Sequence, residues 1–428
     1  MFERAGTTWT QTAKLEASDG ASSDYFGTSA ALDGDTIVVG AYADDTAAGQ
    51  DAGSVYVFTL CSGVWVQQAH LFHPSGAASD GFGFPVAIDG NTIAVGAYLD
   101  DTCAADSGSV WVYVRNTQGT GDPCDDTWDL QTAAGLASTS CQAGGAFGVR
   151  LDLQGNRLVV GAHMEDSPNL DQGVAYLYER SGSTWTMVSQ FVAGNGAAGD
   201  EFGLDVAIDG DTILVGASRD DAPEVDRGSV YVFARQAGVW LFQQQLVATD
   251  GAAGDWFGAA ITVQGETALI GAYLDDLPGV TDAGSAYVFR KAGGNFVQDQ
   301  KINLPEFANG DEFGLLMALD GGTALISARR DEFAALDVGS VGVFTISKGQ
   351  FERFGFGDGT GTACPCGNDT AAGLEQGCGN SLLRGGTLSV AGTDSASADD
   401  FRMIAWNLIP GNPALLFSGP NRVNGGAG

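Results

Sequence analysis

Aspartates recur along the chain in a pattern that could bind a hard cation, because carboxylate oxygens are the ligands that calcium prefers. One set precedes a Phe-Gly dipeptide, and the other follows Val-Gly-Ala or a variant of it. The predicted candidate metal ligands are Asp24, Asp44, Asp45, Asp51, Asp80, Asp100, Asp101, Asp106, Asp200, Asp220, Asp221, Asp226, Asp255, Asp275, Asp276, Asp282, Asp311, Asp331 and Asp337. Their spacing is not that of a recognised calcium loop. The alternative is that they only form Asx-turns with loop backbone N–H groups.

Residues for catalysis are scarce. The three histidines, His70, His73 and His163, have no nucleophile beside them, and the chain has no Gly-x-Ser-x-Gly elbow or phosphate-binding loop. Glycosidases use paired carboxylates, but a catalytic pair should occur once, whereas these pairs repeat. We therefore expect a non-enzymatic binding protein. The alternative, a carbohydrate-active or other hydrolytic enzyme, would require a single asymmetric cleft.

Aromatic residues accompany the aspartates. Tyr42, Tyr98, Tyr273 and His163 each directly follow Val-Gly-Ala or its variant. Such side chains at the mouth of a binding site can hold sugars, and they can equally serve as loop packing. Both interpretations stay open at this stage.

The acids belong to a repeat of about 55 to 65 residues, which is typical of repeat architectures. Each unit has Phe-Gly, a short apolar strand, an Asp-Gly or Gln-Gly turn, an apolar strand, a polar loop and a strand such as Gly228–Phe233. A fourth strand opens at an aromatic residue such as Trp240. The Phe-Gly dipeptides are Phe26-Gly27, Phe82-Gly83, Phe147-Gly148, Phe202-Gly203, Phe257-Gly258 and Phe313-Gly314.

Four antiparallel strands per unit predict an all-β fold, a β-propeller whose strands we name A to D from the axis outward. Phe of Phe-Gly is predicted to wedge between blades. In such blades the D-to-A and B-to-C connections emerge on one face, and the A-to-B and C-to-D connections emerge on the other. Both sets of aspartates should therefore gather on one face of the disc.

The sequence of each unit resembles the FG-GAP repeat, the blade of the integrin α-subunit propeller and of many secreted bacterial proteins. The resemblance covers about residues 9 to 355 and implies a secreted or cell-surface protein for binding or adhesion, with seven blades typical of the family. Integrin-type blades carry a calcium loop between strands A and B. Here that link is only a tight turn, as at Asp209-Gly210, so that calcium site is not carried over.

The chain has six Phe-Gly units but seven outer-strand starts. We expect that the segment Trp9–Leu15 either closes the ring as the outer strand of the last blade, or belongs to a seventh blade whose first hairpin precedes residue 1. Residues 1–355 are assigned to the propeller and 356–428 to an incomplete β-module. The latter resembles the Cys-Pro-Cys-Gly-Asn module that follows many secreted bacterial propellers. Its Cys364, Cys366 and Cys378 favour a disulfide over zinc, since no histidine is near.

The other cysteines test the strand order. Cys103 lies in a B-to-C loop and Cys141 in the next D-to-A loop, so we predict a disulfide between them on the acidic face. Cys61 and Cys124 lie in C-to-D loops of adjacent blades and form the second predicted pair. Buried free thiols are the alternative. Disulfides indicate an oxidising compartment, hence secretion or a cell surface.

The composition limits the partners. The formal net charge is −34 and the pI is about 4.1, so the surface should repel nucleic acid and anionic membranes. No apolar run is long enough for a membrane span, and no signal peptide is visible. The expected partner is a protein or glycan ligand on the acidic face, with calcium as the one candidate cofactor. The oligomeric state is not indicated.

Overall fold

The computed structural model describes residues 1–5, 8–221, 224–304, 307–331, 339–347 and 350–353, and three short strands between 389 and 417. The predicted C-terminal module at 356–428, its boundary with the propeller and its three cysteines otherwise lie outside the described residues. Asp337 also lies outside them.

The regular secondary structure of the described residues is almost entirely β-strand. The single described helix is a 3-10 turn, η1 (Pro123–Asp125). The strands are β1 (Phe2–Ala5), β2 (Thr8–Gln11), β3 (Phe26–Asp33), β4 (Thr36–Ala41), β5 (Ser54–Cys61), β6 (Val64–Phe72), β7 (Val86–Asp89), β8 (Thr92–Ala97), β9 (Ser109–Asn116), β10 (Thr127–Leu130), β11 (Leu151–Gln154), β12 (Arg157–Ala162), β13 (Val174–Ser181), β14 (Thr184–Phe191), β15 (Val206–Asp209), β16 (Thr212–Ala217), β17 (Ser229–Gln236), β18 (Val239–Leu246), β19 (Ala260–Gln264), β20 (Thr267–Ala272), β21 (Ser285–Ala292), β22 (Asn295–Ile302), β23 (Phe313–Asp320), β24 (Thr323–Ala328), β25 (Ser340–Ser347), β26 (Gln350–Arg353), β27 (Ser389–Val390), β28 (Met403–Ala405) and β29 (Leu415–Phe417).

Strands β3 to β26 form six four-stranded antiparallel sheets in chain order, blades 1 to 6, and the sheets form a propeller ring. The innermost strands β3, β7, β11, β15, β19 and β23 line a central channel of about 620 Å³. The predicted all-β propeller, with strand A at the axis, is therefore confirmed.

The N-terminal residues form a separate hairpin. Strand β2 pairs with β1, in the register Phe2 with Gln11, and blade 6 uses its own outer strand β26. The alternative that Trp9–Leu15 is the outer strand of the last blade is therefore wrong. Met1 and Leu15 are buried against blade 1 beside Leu32 and Tyr56, so the hairpin packs as a partial unit next to that blade.

The predicted Phe-Gly wedge is confirmed by the clusters between blades. Phe257 has no exposed surface and packs among Val230 and Leu246 of blade 4 and Ile261 and Tyr287 of blade 5. Fully burying one such side chain contributes about 1.5–3 kcal/mol. Because equivalent clusters join every pair of neighbouring blades from 1 to 6, the repeated Phe is a main source of cohesion.

Glycine lets the backbones of neighbouring blades touch. A Cβ atom on Gly161 of blade 3 would lie 1.9 Å from the carbonyl oxygen of Gly203 in blade 4. Gly203 has φ +95°, a conformation that side chains disfavour, and its N–H donates to the Gly216 carbonyl at 2.8 Å. The glycines of Phe-Gly and Val-Gly-Ala are therefore two halves of one contact.

The A-to-B turns also join the blades. The two turn residues begin one position later than the sequence indicated, at the glycine, so that Asp209 ends strand β15 and pairs with Thr212. The side chain of Gln154 accepts a hydrogen bond from the Gly210 N–H of the next blade at 2.6 Å, and Gln264 accepts one from Gly321 at 2.9 Å. Asp33, Asp89 and Asp209 make the same contact with Gly90, Gly155 and Gly265. This belt runs from blade 1 to blade 6, and the sequence analysis missed it.

We predict that Gly161→Ala destabilises the protein by about 3 kcal/mol or more, the upper end for overpacking, because backbone must move to admit the methyl group. Urea or guanidinium unfolding measures the change. The matched control is Gly194→Ala, which has open space around it and no left-handed φ. It should be neutral or stabilising by about 0.5 kcal/mol. Equal effects of the two substitutions would contradict the close blade contact.

Candidate functional site

The aspartate-bearing loops share one face of the propeller, which we call the acidic face: the D-to-A and B-to-C connections. The two kinds of loop hydrogen-bond to each other, for example from the Phe202 N–H to the Gln172 carbonyl at 2.9 Å. The disulfide Cys103–Cys141 joins one loop of each kind. The second disulfide, Cys61–Cys124, joins two C-to-D loops on the opposite face. Both predicted disulfides and the strand parity behind them are confirmed.

In the B-to-C loops of blades 1 to 5, two of the acids hold the loop itself. The second acid accepts a hydrogen bond from the backbone N–H of the third, as in Asp221 with Asp226 at 2.9 Å. The third acid adopts a left-handed φ, which Asp tolerates better than most residues. The same contact recurs between Asp45 and Asp51, Asp101 and Asp106, Asp166 and Asp171, and Asp276 and Asp282. These hydrogen bonds are the ones expected if the aspartates form turns with loop backbone N–H groups, which was the alternative to metal binding.

The aspartate that precedes Phe-Gly in blades 1, 2, 4, 5 and 6 also forms a turn. The Asp200 carboxylate accepts the backbone N–H of Ala197 at 2.6 Å. Asp24, Asp80, Asp255 and Asp311 bind Ala21, Ala77, Ala252 and Ala308 in the same way. Asp331 lies at the first-acid position of blade 6.

In blades 1 to 5, the first acid of the B-to-C loop is buried in a polar pocket. In blade 4, one oxygen of Asp220 accepts hydrogen bonds from Ser229 at 2.5 Å, Tyr231 at 2.7 Å and Gln245 at 2.8 Å. In blade 3, Glu165 takes this position and accepts one from Tyr176 at 2.6 Å. Burial is tolerated because these donors replace water.

The strand D residue that faces this pocket varies between blades. The residue opposite the pocket tyrosine is His70 in blade 1, Gln245 in blade 4 and Lys301 in blade 5. The Lys301 ammonium lies 2.7 Å from both Asp250 and Asp275. In blade 5 the chain thus provides its own cation between the carboxylates.

Blade 2 holds the most compact set of metal-type ligands among the described residues: His73, Asp80 and Asp100, with ligand atoms within 4.8 Å of one another. His73 was not among the predicted ligands. Its Nδ1 accepts the Ser75 N–H at 3.2 Å, so its Nε2 must carry the proton that is donated to Asp100 at 3.1 Å. A metal on Nε2 needs the other tautomer, so this histidine fits a hydrogen-bonding role better than metal binding.

The aspartates that precede Phe-Gly in blades 2, 4 and 5 have raised pKa values. Burial, and then the neighbouring Asp275 carboxylate, raise the pKa of Asp255 to about 6. Burial also raises the pKa of Asp80 and Asp200, each with an added contribution from the first acid of its own blade. Asp100 is the exception: burial opposes its ionisation, but hydrogen bonds from His73, Ser109 and Thr102 outweigh it and lower the pKa to about 2. The structure therefore brings the acids together as pairs within a blade.

Two buried carboxylates lie in the wall of the central channel. Blades 3 and 4 place Asp152 and Asp205 in its wall, and burial raises the pKa of each to about 6. Asp152 accepts the Ile208 N–H at 2.8 Å and Asp205 accepts the Ile261 N–H at 2.6 Å, each from the next blade. Both carboxylates thus tie neighbouring inner strands together, a role that no sequence pattern indicated.

The comparisons with known proteins fit this architecture. The FG-GAP repeat pattern matches residues 9–58, 65–113, 185–233 and 240–289, each from an outer strand D through to the following strand C. The chain carries FG-GAP repeats. A comparison with curated proteins finds no match. Among solved structures, one named as a 6-phosphogluconolactonase from Bacteroides fragilis is 11% identical, with a TM-score of 0.50, and covers 76% of this chain and 82% of that one.

This distant similarity shows that a propeller fold is shared, and nothing of the reaction. In the part of the FG-GAP chain that the structure describes, no helix is long and apolar enough to cross a bilayer.

We predict a fall in stability as the pH rises through about 6. The folded state holds the protons of Asp152, Asp205 and Asp255 at a pKa of about 6, against about 3.9 in the unfolded chain. Their stabilising contribution is therefore complete below about pH 4 and is lost as the pH rises through 6. Asp100 acts oppositely, and its contribution is lost as the pH falls towards 2.

Urea unfolding in chelator between about pH 4 and 7.5 measures this trend. Asp255→Asn keeps an oxygen for the Ala252 N–H and removes the titrating charge, so its pH dependence should be shallower. A variant with the same or a steeper slope would show that Asp255 does not contribute to it.

Proposed function

We propose that this chain is a non-enzymatic binding scaffold, secreted or at the cell surface, that contacts a protein or glycan through its acidic face. The observation that carries the proposal is the repeated bond between the second and third acids of the B-to-C loops, which fixes the backbone and leaves charge at the surface. Preorganised loops lose little conformational entropy on binding. Disulfides on both faces support an oxidising compartment.

A charge-only substitution tests the acidic face. Asp45→Asn, Asp101→Asn and Asp221→Asn together keep the oxygens that accept the loop N–H groups, but remove three charges. We expect this variant to fold normally and to lose about tenfold or more in affinity for a partner found on protein and glycan arrays.

The matched control removes three charges from the opposite face, by Asp122→Asn, Asp125→Asn and Asp211→Asn. Melting temperatures verify that both variants are folded. Binding that survives in the acidic-face variant, or falls equally in the control, would rule out this face as the contact surface.

We propose calcium as the cofactor, bound only weakly. In blades 2, 4 and 5 the described side chains bring two carboxylates together, as in Asp200 and Asp220, whereas calcium takes six to eight oxygens. The residues therefore fit a weakly held ion with much of its shell from water or backbone, and they do not fit a dedicated cage. The repulsion within these buried pairs is what a cation would relieve.

We predict that calcium raises the melting temperature of chelator-stripped protein by at least about 2 °C at millimolar concentration. Lys301→Met removes the internal cation of blade 5 and should cost about 2–3 kcal/mol, less than for a fully buried pair because Lys301 is partly exposed. Calcium should then stabilise this variant more than the wild type. Magnesium at equal ionic strength is the control, and no shift in either protein would remove calcium from the proposal.

A hydrolytic enzyme is the second candidate, favoured by the two buried carboxylates Asp152 and Asp205 in the channel wall. Both carboxylates already bind backbone N–H groups, so we rank it below the binding scaffold. Turnover of a chromogenic glycoside or a lactone that Asp205→Asn abolishes, in protein with an unchanged fold, would reverse this order.

A further inference from the structure

The mouth of the central channel on the acidic face carries a continuous rim of aromatic and arginine side chains. The residues come from three groups of positions: directly before Phe-Gly, one or two positions after it, and the first two positions of the B-to-C loops. All three groups lie where strand A begins or strand B ends, at the acidic end of the channel. We define the rim as Tyr25, Tyr42, Phe84, Tyr98, Arg150, His163, Arg219, Trp256, Tyr273, Arg329 and Arg330.

On blades 1 and 2 the rim is an aromatic shelf. The rings of Tyr25 and Tyr42 stack at 5.3 Å, Tyr42 meets Phe84 edge-on at 5.5 Å, and Phe84 meets Tyr98 at 4.8 Å. These contacts confirm that the aromatics pack against one another. However, Tyr25 is 50% exposed and the other three are only partly buried, so apolar ring surface is left open at the mouth.

Across the channel the rim consists of arginine, carboxylate and aromatic groups. Arg219 lies 4.5 Å from the ring centre of Trp256 and 3.3 Å from Glu201, and Trp256 meets Tyr273 at 5.7 Å. Glu312 is held by Arg329 and, at 3.2 Å, by Arg330. Arg150 links the two halves, because it lies 5.2 Å from Phe84 and 3.8 Å from Asp205 inside the channel.

His163 completes the rim with an unused polar atom. It is 8% exposed, and its Nδ1 has no hydrogen-bond partner among the described residues. Burial, reinforced by Arg150 and Arg219, lowers its pKa to about 4, so the ring is neutral at physiological pH. A neutral imidazole can donate to or accept from a hydroxyl.

The charges of the rim select an uncharged ligand. Four of the 19 lysines and arginines of the chain meet here, and Asp205, Glu201 and Glu312 oppose them. A cationic ligand would meet the arginines, and an anionic one must approach a chain of net charge −34. Guanidinium–carboxylate pairs offer donors and acceptors side by side, which suits the neighbouring hydroxyls of a sugar.

We propose that this mouth is a binding site for the end of a neutral saccharide, with sugar rings on the aromatic shelf and hydroxyls on the arginine–carboxylate pairs. The channel beneath, about 620 Å³, lies within the size range of small-ligand sites, in which apolar walls and a few polar groups fix the ligand. This inference rests on the proposed binding function and narrows it to one ligand class and one place on the acidic face.

The test uses the full chain on an array of neutral, carboxylated and sulfated oligosaccharides and basic peptides, followed by calorimetry with the strongest neutral oligosaccharide. Tyr42→Ala and Trp256→Ala should each weaken binding by about tenfold or more. Tyr42→Phe retains the stacked ring and should stay within about threefold of the wild type. The control Phe242→Ala removes an aromatic side chain that is 57% exposed on an outer strand, and should leave the affinity for the oligosaccharide unchanged.

The outcomes separate the two proposals. Loss of affinity in both alanine variants, with melting temperatures near that of the wild type, supports the saccharide site. If a partner binds but depends on the acids Asp45, Asp101 and Asp221 and not on Tyr42 or Trp256, the scaffold proposal holds and the mouth site is wrong. Selection of anionic saccharides or basic peptides overturns the charge argument, and no binding by any probe overturns both proposals.

Discussion

The structure depends on the contact between successive blades, where a buried phenylalanine packs next to a glycine-to-glycine backbone approach. Each blade has two apolar faces and would be unstable alone, so the ring exists because these faces cover one another. The Phe supplies apolar area, and the glycines allow the distance at which that area is buried. The contact of Gly161 with Gly203 shows why Val-Gly-Ala in one blade is matched by Phe-Gly in the next.

The aspartates have several different structural roles, which explains why there are so many of them. One caps the D-to-A turn, one accepts a hydrogen bond across the B-to-C loop, one sits in a left-handed conformation, and one is buried among hydroxyl and amide donors. A belt of Asp and Gln on the opposite face ties each turn to the next blade. Much of the acidity is therefore structural, and the charge left at the surface is a consequence of a turn-rich repeat.

Departures from the repeat mark the places where blades acquire individual properties. Lys301 places a cation in blade 5 where other blades use neutral groups, and His73 of blade 2 donates a hydrogen bond to the Asp100 carboxylate. At the channel mouth, blades 1 and 2 carry aromatic side chains, the arginines lie on blades 3, 4 and 6, and blade 5 contributes Trp256 and Tyr273. A symmetric scaffold thus carries an asymmetric surface, which is what a selective binding protein needs.

The sequence by itself determined the period, the four-strand blade, the strand order, the shared acidic face and two disulfides. These follow from local patterns, since Phe-Gly, the turn and the apolar runs recur in register and strand parity fixes which loops meet. Tertiary structure alone decided which atoms pair across blades: the turn belt, the ties from Asp152 and Asp205, the tautomer of His73 and the rim around Arg150. Those contacts join residues about 50 or more positions apart or depend on hydrogen-bond directions, and neither can be obtained from a local pattern.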